Sequence, residues 1–331
     1  MRLRTLLATG AVAALTLQAG CAATPPPPIS TIGELGAAYL DAGGACDDLV
    51  EQFRASDAEP VVAACGTDTE LILATDAEQA QAVATQRQLQ EQTVLVFDRW
   101  VIRDPELETI QQSLGGQIVT LAPADGPANM ADAIAFDADG VVEADPVPAD
   151  GDPAELPEAS GVPDVLVAVD AGCEFCDRLL GSSGELLTAL ADDGAARVAY
   201  LPVSLGDSIE NRYASTLGAN ALACVADGAP EGYRGFQTAL LAQLQQQPFD
   251  AGAVSALASE HVPDDGAADI GACIADARFA WWVRQATVRA IEQPLQGVEP
   301  LRGVPSVLVD GRLYAGDVTD AAALEAFIAE G

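Results

Sequence analysis

The sequence predicts an α/β protein built as two folded parts behind an export signal, and three observations carry that reading. Strand-like and helix-like runs alternate in two blocks, a stretch rich in Pro, Ala and Asp separates the blocks, and a Cys-x-x-Cys stands at a strand-to-helix junction in the second. At 331 residues the chain has room for two hydrophobic cores. Half the residues are hydrophobic, a globular composition. Fifty acidic residues face fifteen basic ones, all arginine, and the net charge is −35. Such a balance repels phosphate backbones, so nucleic acid is excluded as a natural partner.

Residues 1–20 read as a signal peptide. Arg2 and Arg4 make a positive start, and Leu6 to Leu17 is an apolar run too short for a permanent membrane span. Gln18-Ala19-Gly20-Cys21 resembles a bacterial lipobox, in which the cysteine receives lipid and becomes the mature N-terminus. Gln18 departs from that pattern, which prefers leucine. The alternative is cleavage further on, leaving a soluble secreted protein. Cysteine arithmetic favours lipid at Cys21, because seven cysteines are odd and the remaining six pair completely. Residues 21–30 then form a spacer stiffened by Pro25 to Pro28. The expected location is the extracytoplasmic face of the cell membrane, an oxidising environment in which disulfides are the default.

Residues 31–121 read as a small α+β domain. Ile32 to Leu40 is helical, Glu70 to Ala74 extended, Ala77 to Gln90 helical and Thr93 to Phe97 a buried strand; Trp100-Val101-Ile102 continues the strand pattern. Gly115-Gly116 breaks a helix before Gln117 to Leu121. Cys46 and Cys65 are the only cysteines in this part, and a disulfide between them would tie a domain of modest core; two buried free thiols are the alternative. The glycine-flanked first cysteine, the second cysteine, the strand at Trp100 and Leu114-Gly115-Gly116 resemble a small domain of exported actinobacterial proteins. No catalytic cluster occurs in it, and it is read as an accessory domain.

Residues 122–163 read as an acidic, solvated connector, since no basic residue falls between Arg103 and Arg178. Within it, residues 133–144 read as a hairpin turning at Asp139-Gly140, which adds an early strand to the domain that follows.

The chemistry is expected in residues 164–331. Val165 to Val169 is a continuous apolar run, as in a strand buried on both faces. Asp170-Ala171-Gly172-Cys173-Glu174-Phe175-Cys176 follows, then helical patterns at Asp177 to Leu180 and again at Glu185 to Leu190. At a helix N-terminus, free N–H groups and the helix dipole stabilise a thiolate at Cys173, which can attack a disulfide. Cys176, one turn on, can resolve the resulting mixed disulfide. A structural zinc site would need four ligands, yet no second Cys-x-x-Cys exists and His261 is the only histidine. A purely structural disulfide across so short a loop contributes little. Asp170 either modulates the thiol or is a solvated strand-end carboxylate. Glu174 either opposes the Cys173 thiolate by like-charge repulsion or points into solvent and is screened.

The run VxxDxxCxxC, Ala219-Asn220-Ala221 with Cys224-Val225-Ala226-Asp227, Cys273-Ile274-Ala275-Asp276, Trp282-Val283 and Gly303-Val304-Pro305-Ser306 with Val307 to Gly311 together resemble the DsbA-like branch of the thioredoxin superfamily, in its actinobacterial lipoprotein form. The resemblance implies a thioredoxin fold with a helical insertion at about 211–291, and thiol–disulfide exchange with exported proteins. It implies that Pro305 is a cis-proline opposite the active cysteines, with Val304 meeting the substrate backbone. It also implies a second disulfide, Cys224–Cys273; two free cysteines packed among alanines are the alternative. Glu174 stands where the family usually has proline, Val304 where it often has threonine, and Pro294 and Pro300 make the preceding connection unusually proline-rich. Trp282 is expected in the core and Trp281 at an edge near a substrate groove; His261 is given no role.

The sequence thus reads as an exported, membrane-anchored protein thiol–disulfide oxidoreductase, with Cys173 as nucleophile, Cys176 as resolving thiol and Glu174-Phe175 as the active-site dipeptide. No dissociable cofactor or metal is required, because the dithiol carries the electrons. The expected partners are exported protein substrates, a redox protein that recycles the dithiol, and the membrane through the lipid anchor. The rival reading is a non-catalytic envelope lipoprotein that uses the same scaffold to bind a partner.

Overall fold

Residues 29–54, 56–152, 161–208, 211–297 and 299–330 are described in the computed structural model of the chain. The signal segment, Cys21 and Pro25 to Pro28 lie outside the described residues. No helix among the described residues is long and apolar enough to cross a membrane.

The first block is a six-stranded antiparallel sheet covered by helices on both faces. Its strands are β1 (Val50–Glu51), β2 (Val61–Cys65), β3 (Thr69–Leu73), β4 (Val94–Phe97), β5 (Trp100–Arg103) and β6 (Gln117–Val119), in the order β1-β2-β3-β5-β4-β6. Helix α1 (Ile32–Asp41) begins in a capping box between Thr31 and Glu34. Leu71, Leu73, Leu95 and Ile102 pack against α1 and α3 (Leu107–Leu114), whereas Ile72, Val94 and Val101 meet α2 (Ala77–Leu89) on the other face. The strand period of two sorts these neighbours to opposite sides. A disulfide joins Cys46 to Cys65, with Cα atoms 5.3 Å apart.

The second block is a six-stranded sheet of β7 (Ile134–Asp137), β8 (Gly140–Val142), β9 (Asp164–Asp170), β10 (Arg197–Val203), β11 (Ser306–Val309) and β12 (Arg312–Leu313), in the order β12-β11-β9-β10-β7-β8. Only β9 and β10 run parallel. Helix α4 (Glu174–Asp192) makes the crossover between them. The β7–β8 hairpin pairs through β7 with β10, so the hairpin belongs to this sheet. Val165, Val167 and Val169 face one core while Leu166 and Ala168 face another.

Between β10 and β11 comes the helical insertion: α5 (Ala214–Gly228), α6 (Tyr233–Leu244), α7 (Ala251–Ser259), α8 (Asp264–Ala275) and α9 (Ala280–Glu292). A disulfide from Cys224 on α5 to Cys273 on α8 lies in its buried centre, with Cα atoms 5.9 Å apart. The C-terminal α10 (Ala321–Ala329) packs against α4.

Two details depart from the sequence reading. First, α4 runs unbroken through Gly181-Ser182-Ser183-Gly184. One side of the run faces the interior: Ser183 is fully buried and Gly184 lies beside Thr238 of α6, while the exposed Ser182 returns its hydroxyl to the Arg178 carbonyl. Second, the described part of the connector is packed rather than solvated. Met130 and Val147 are buried in the core of the second block. Arg289 forks onto Asp132 at 2.6 and 2.7 Å, supplying from a distant helix the cation that the connector lacks locally. The two blocks meet where Leu89 packs with Leu217, Ala277 and Ala280, and Arg284 bonds the Leu89 carbonyl at 2.9 Å.

Candidate active site

Four segments converge on the two free cysteines: the C-terminal end of β9, the start of α4, the loop after β10, and the turn into β11. Cys173 is the N-cap of α4, and its extended backbone aims the sulfur back at the first turn. The Cys176 N–H donates to the Cys173 sulfur at 3.2 Å. Cys173 is partly exposed and Cys176 is buried. An approaching sulfur can therefore reach the first thiol and not the second.

The two thiols are driven apart electrostatically. The Cys173 thiol is lowered to about 7, chiefly by the hydrogen bond it receives from the Cys176 thiol and further by the Cys176 and Phe175 N–H groups. Burial and the Asp170 charge oppose that lowering. Cys176 moves strongly upward, because its proton is held between the sulfurs and its surroundings are dry. One thiol is thus a thiolate near neutral pH while its neighbour keeps its proton.

The Val304–Pro305 peptide is cis, and the Cys173 thiol donates to the Val304 carbonyl at 3.8 Å. The structure therefore brings Val304 and Pro305, distant in sequence, beside Cys173. Phe175 stands beside it on the surface, 57 % exposed, with the Arg178 guanidinium 5.2 Å from its ring centroid.

Glu174 turns outward, where it pairs with Arg178 one turn along α4. It does not face the sulfur, so of the two sequence readings the screened, solvent-facing one describes the residue. The carboxylate that does stand behind the sulfurs is Asp170. It is 1 % exposed, which overturns the solvated strand-end reading. The Gly172, Leu205 and Gly206 N–H groups all donate to it, at 2.8, 2.7 and 2.8 Å. Leu205 and Gly206 carry no signal in the sequence, since the loop that holds them reaches the site only through the pairing of β10 with β9.

Helix α5 supports this loop from beneath. A Cβ on Gly218 would lie 2.4 Å from the Ala171 side chain, so glycine there lets α5 approach the segment just before Cys173. Trp282 is buried in the core, while Trp281 is only partly buried. His261 packs near Phe236, their ring centroids 6.3 Å apart, and takes no part in the cluster.

The family model described as thioredoxin matches residues 161–330, just over half of the chain. No curated protein matches this sequence. Among solved structures the chain is similar to DsbA from Mycobacterium tuberculosis, at 26 % identity, TM-score 0.43, covering 51 % of this chain and 81 % of that one. It is also similar to the disulfide bond oxidoreductase DsbG of the same organism, at 28 % identity, TM-score 0.42, covering 51 % and 77 %. MdbA, a thiol–disulfide oxidoreductase from Actinomyces oris, is similar at 19 % identity, TM-score 0.46, covering 61 % and 89 %. The family match spans the Cys-x-x-Cys that caps α4, the cis-proline beside it and the helical insertion, and the chain belongs to the thioredoxin family.

Proposed function

We propose that this protein is a DsbA-like thiol–disulfide oxidoreductase, exported and held at the outer face of the membrane by lipid on Cys21, which exchanges disulfides with cysteines of envelope or secreted proteins. The observation that carries the redox part is a single one: a partly exposed Cys173 lowered to about 7 over a buried, protonated Cys176. In the oxidising direction, a substrate thiolate attacks Cys173 Sγ of the Cys173–Cys176 disulfide, and Cys176 leaves with the electron pair and takes a proton. The second substrate thiolate then attacks the substrate sulfur of the mixed disulfide and expels Cys173. Two substrate thiols become a disulfide and the protein becomes a dithiol, which a redox partner must reoxidise. Phe175 offers the substrate an apolar contact, and Val304 with Pro305 a backbone to lie against.

The poise of the pair follows from the thiolate. Cys-x-x-Cys nucleophiles reach as low as about 3.5 in strongly oxidising sites, whereas values near 7 go with milder ones. Cys173 stands at the mild end.

The anchor rests on the lipobox and on cysteine pairing: with Cys46–Cys65 and Cys224–Cys273 bonded and Cys173 and Cys176 forming the dithiol, Cys21 is the cysteine left over. Cys21→Ser tests it by cell fractionation. The parent is expected in the membrane fraction and the variant in soluble or unprocessed form, since a two- or three-chain anchor is firm where one chain is marginal. Unchanged fractionation, or a mature N-terminus beyond Cys21, would remove the anchor from the account.

A further inference from the structure

Asp170 is an unusual neighbour for a site that works through a thiolate. Its carboxylate is buried, and no cationic side chain among the described residues pairs with it; backbone N–H groups alone satisfy it. One oxygen holds Gly172, in the loop that leads to Cys173, and the other holds Leu205 and Gly206, in the loop after β10. Its own N–H faces Cys176 Sγ at 3.5 Å, and its carbonyl accepts from the Cys173 N–H at 3.1 Å. The space between the loops is filled. A Cβ on Gly172 or on Gly206 would each lie 3.1 Å from the Ser215 hydroxyl and 3.5 Å from an Asp170 carboxylate oxygen.

We propose that Asp170 is a positioning residue that clamps the Cys173 loop to the loop after β10, and that its fixed negative charge makes the Cys173–Cys176 couple a weaker oxidant than the same scaffold with a neutral residue there. The hydrogen bonds and the charge act differently. The three N–H bonds are available whether the cysteines are oxidised or reduced, so they largely cancel from the redox difference. The charge does not cancel, because only the reduced form carries a thiolate for it to repel. Consistently, the Asp170 charge works against ionisation of both cysteines. The other groups near this carboxylate are Asp207, whose own carboxyl is raised chiefly by burial and which accepts from the Thr216 hydroxyl, and the hydroxyl of Ser215 on α5. None is a cation.

The test is Asp170→Asn in the mature chain, with the ultraviolet absorbance of the thiolate followed against pH and the couple equilibrated with glutathione. The Cys173 pKa is expected to fall by about one unit. From a starting value of about 7, that moves the equilibrium at neutral pH about fivefold toward the reduced protein. Glu174→Gln is the outward-facing control, and its curve is expected to superimpose on the parent's. Asp170→Ser carries the same expectation should the asparagine variant fail to fold. Gly206→Ala crowds the clamp without removing the charge, and is expected to slow exchange while leaving the Cys173 pKa in place. A neutral residue at 170 that leaves the pKa and potential unchanged or raises the pKa overturns the inference. So does a Gly206→Ala variant that moves the pKa as far as Asp170→Asn does. The inference rests on the oxidoreductase reading, but the titration reads the sulfur without substrate. Failure to capture substrates would sink that reading alone, and an unmoved titration would sink this inference alone.

Discussion

Cys176→Ala is expected to accumulate mixed disulfides between Cys173 and exported proteins. Cys176 is buried and keeps its proton while Cys173 is a free thiolate, because the two sulfurs share that proton. Once Cys173 is tied to a substrate, that restraint is gone, and Cys176 lies within one helical turn of the sulfur it must attack. Groups held in such geometry react as if at effective concentrations of about 10⁵ M or more. Removing the sulfur leaves release to the substrate's own second thiol or to external thiols, so adducts with substrates whose second thiol is out of reach should persist at least about a hundredfold longer. Non-reducing gels of the trapped variant, with Cys173→Ser/Cys176→Ala as the blank, check this. Adducts that survive the loss of Cys173 would show that the chemistry lies elsewhere.

Cys224→Ala/Cys273→Ala is expected to destabilise the thioredoxin domain by about 4 kcal/mol, the loop-closure entropy for a separation of 49 residues. Against the 5–15 kcal/mol or so that holds a typical domain, that is a large share. Both sulfurs are buried in the middle of the insertion, so the substitution also leaves a void among the alanines of α5. Cys46 and Cys65 close a shorter span of 19 residues, whose loop-closure entropy sets their loss at about 3 kcal/mol. Denaturant unfolding of the two double variants ranks them. A Cys224–Cys273 loss below about 1 kcal/mol would show that packing alone holds the insertion together.

Much of this molecule was legible because its strong signals are local. The Cys-x-x-Cys after an unbroken valine-rich strand needs only that strand and the next helix, and the structure supplies both. Helices α1 and α2 and strands β4 and β5 appear within a residue or so of their expected bounds, since capping side chains and apolar runs mark them directly. Strand β2 was not legible. Val61-Val62-Ala63-Ala64-Cys65 neither alternates nor favours extended structure at its alanines, and it is a strand because β1 and β3 flank it. The continuity of α4 was hidden for a similar reason: a Gly-Ser-Ser-Gly run reads as a break until α6 is seen packed on it. Asp170 and Glu174 show the limit at the site itself. Adjacency along the chain pointed to Glu174, but the direction of the first helical turn sends that carboxylate outward, and the pairing of β9 with β10 folds the loop of Leu205 and Gly206 over Asp170. The ends of a parallel strand pair meet through residues more than thirty positions apart, which no local pattern records.

The reduction potential of the Cys173–Cys176 couple, read as the fraction of protein reduced across a series of glutathione buffers, tests the central claim most directly. A reversible two-electron transition is expected, confined to these two sulfurs. Its potential is expected between about −270 mV, as for a reducing thioredoxin-type pair, and about −120 mV, as for a strongly oxidising one. The Cys46–Cys65 and Cys224–Cys273 disulfides should stay closed throughout. Cysteines 173 and 176 that remain reduced across the whole series, or that exchange only after the protein unfolds, would contradict it.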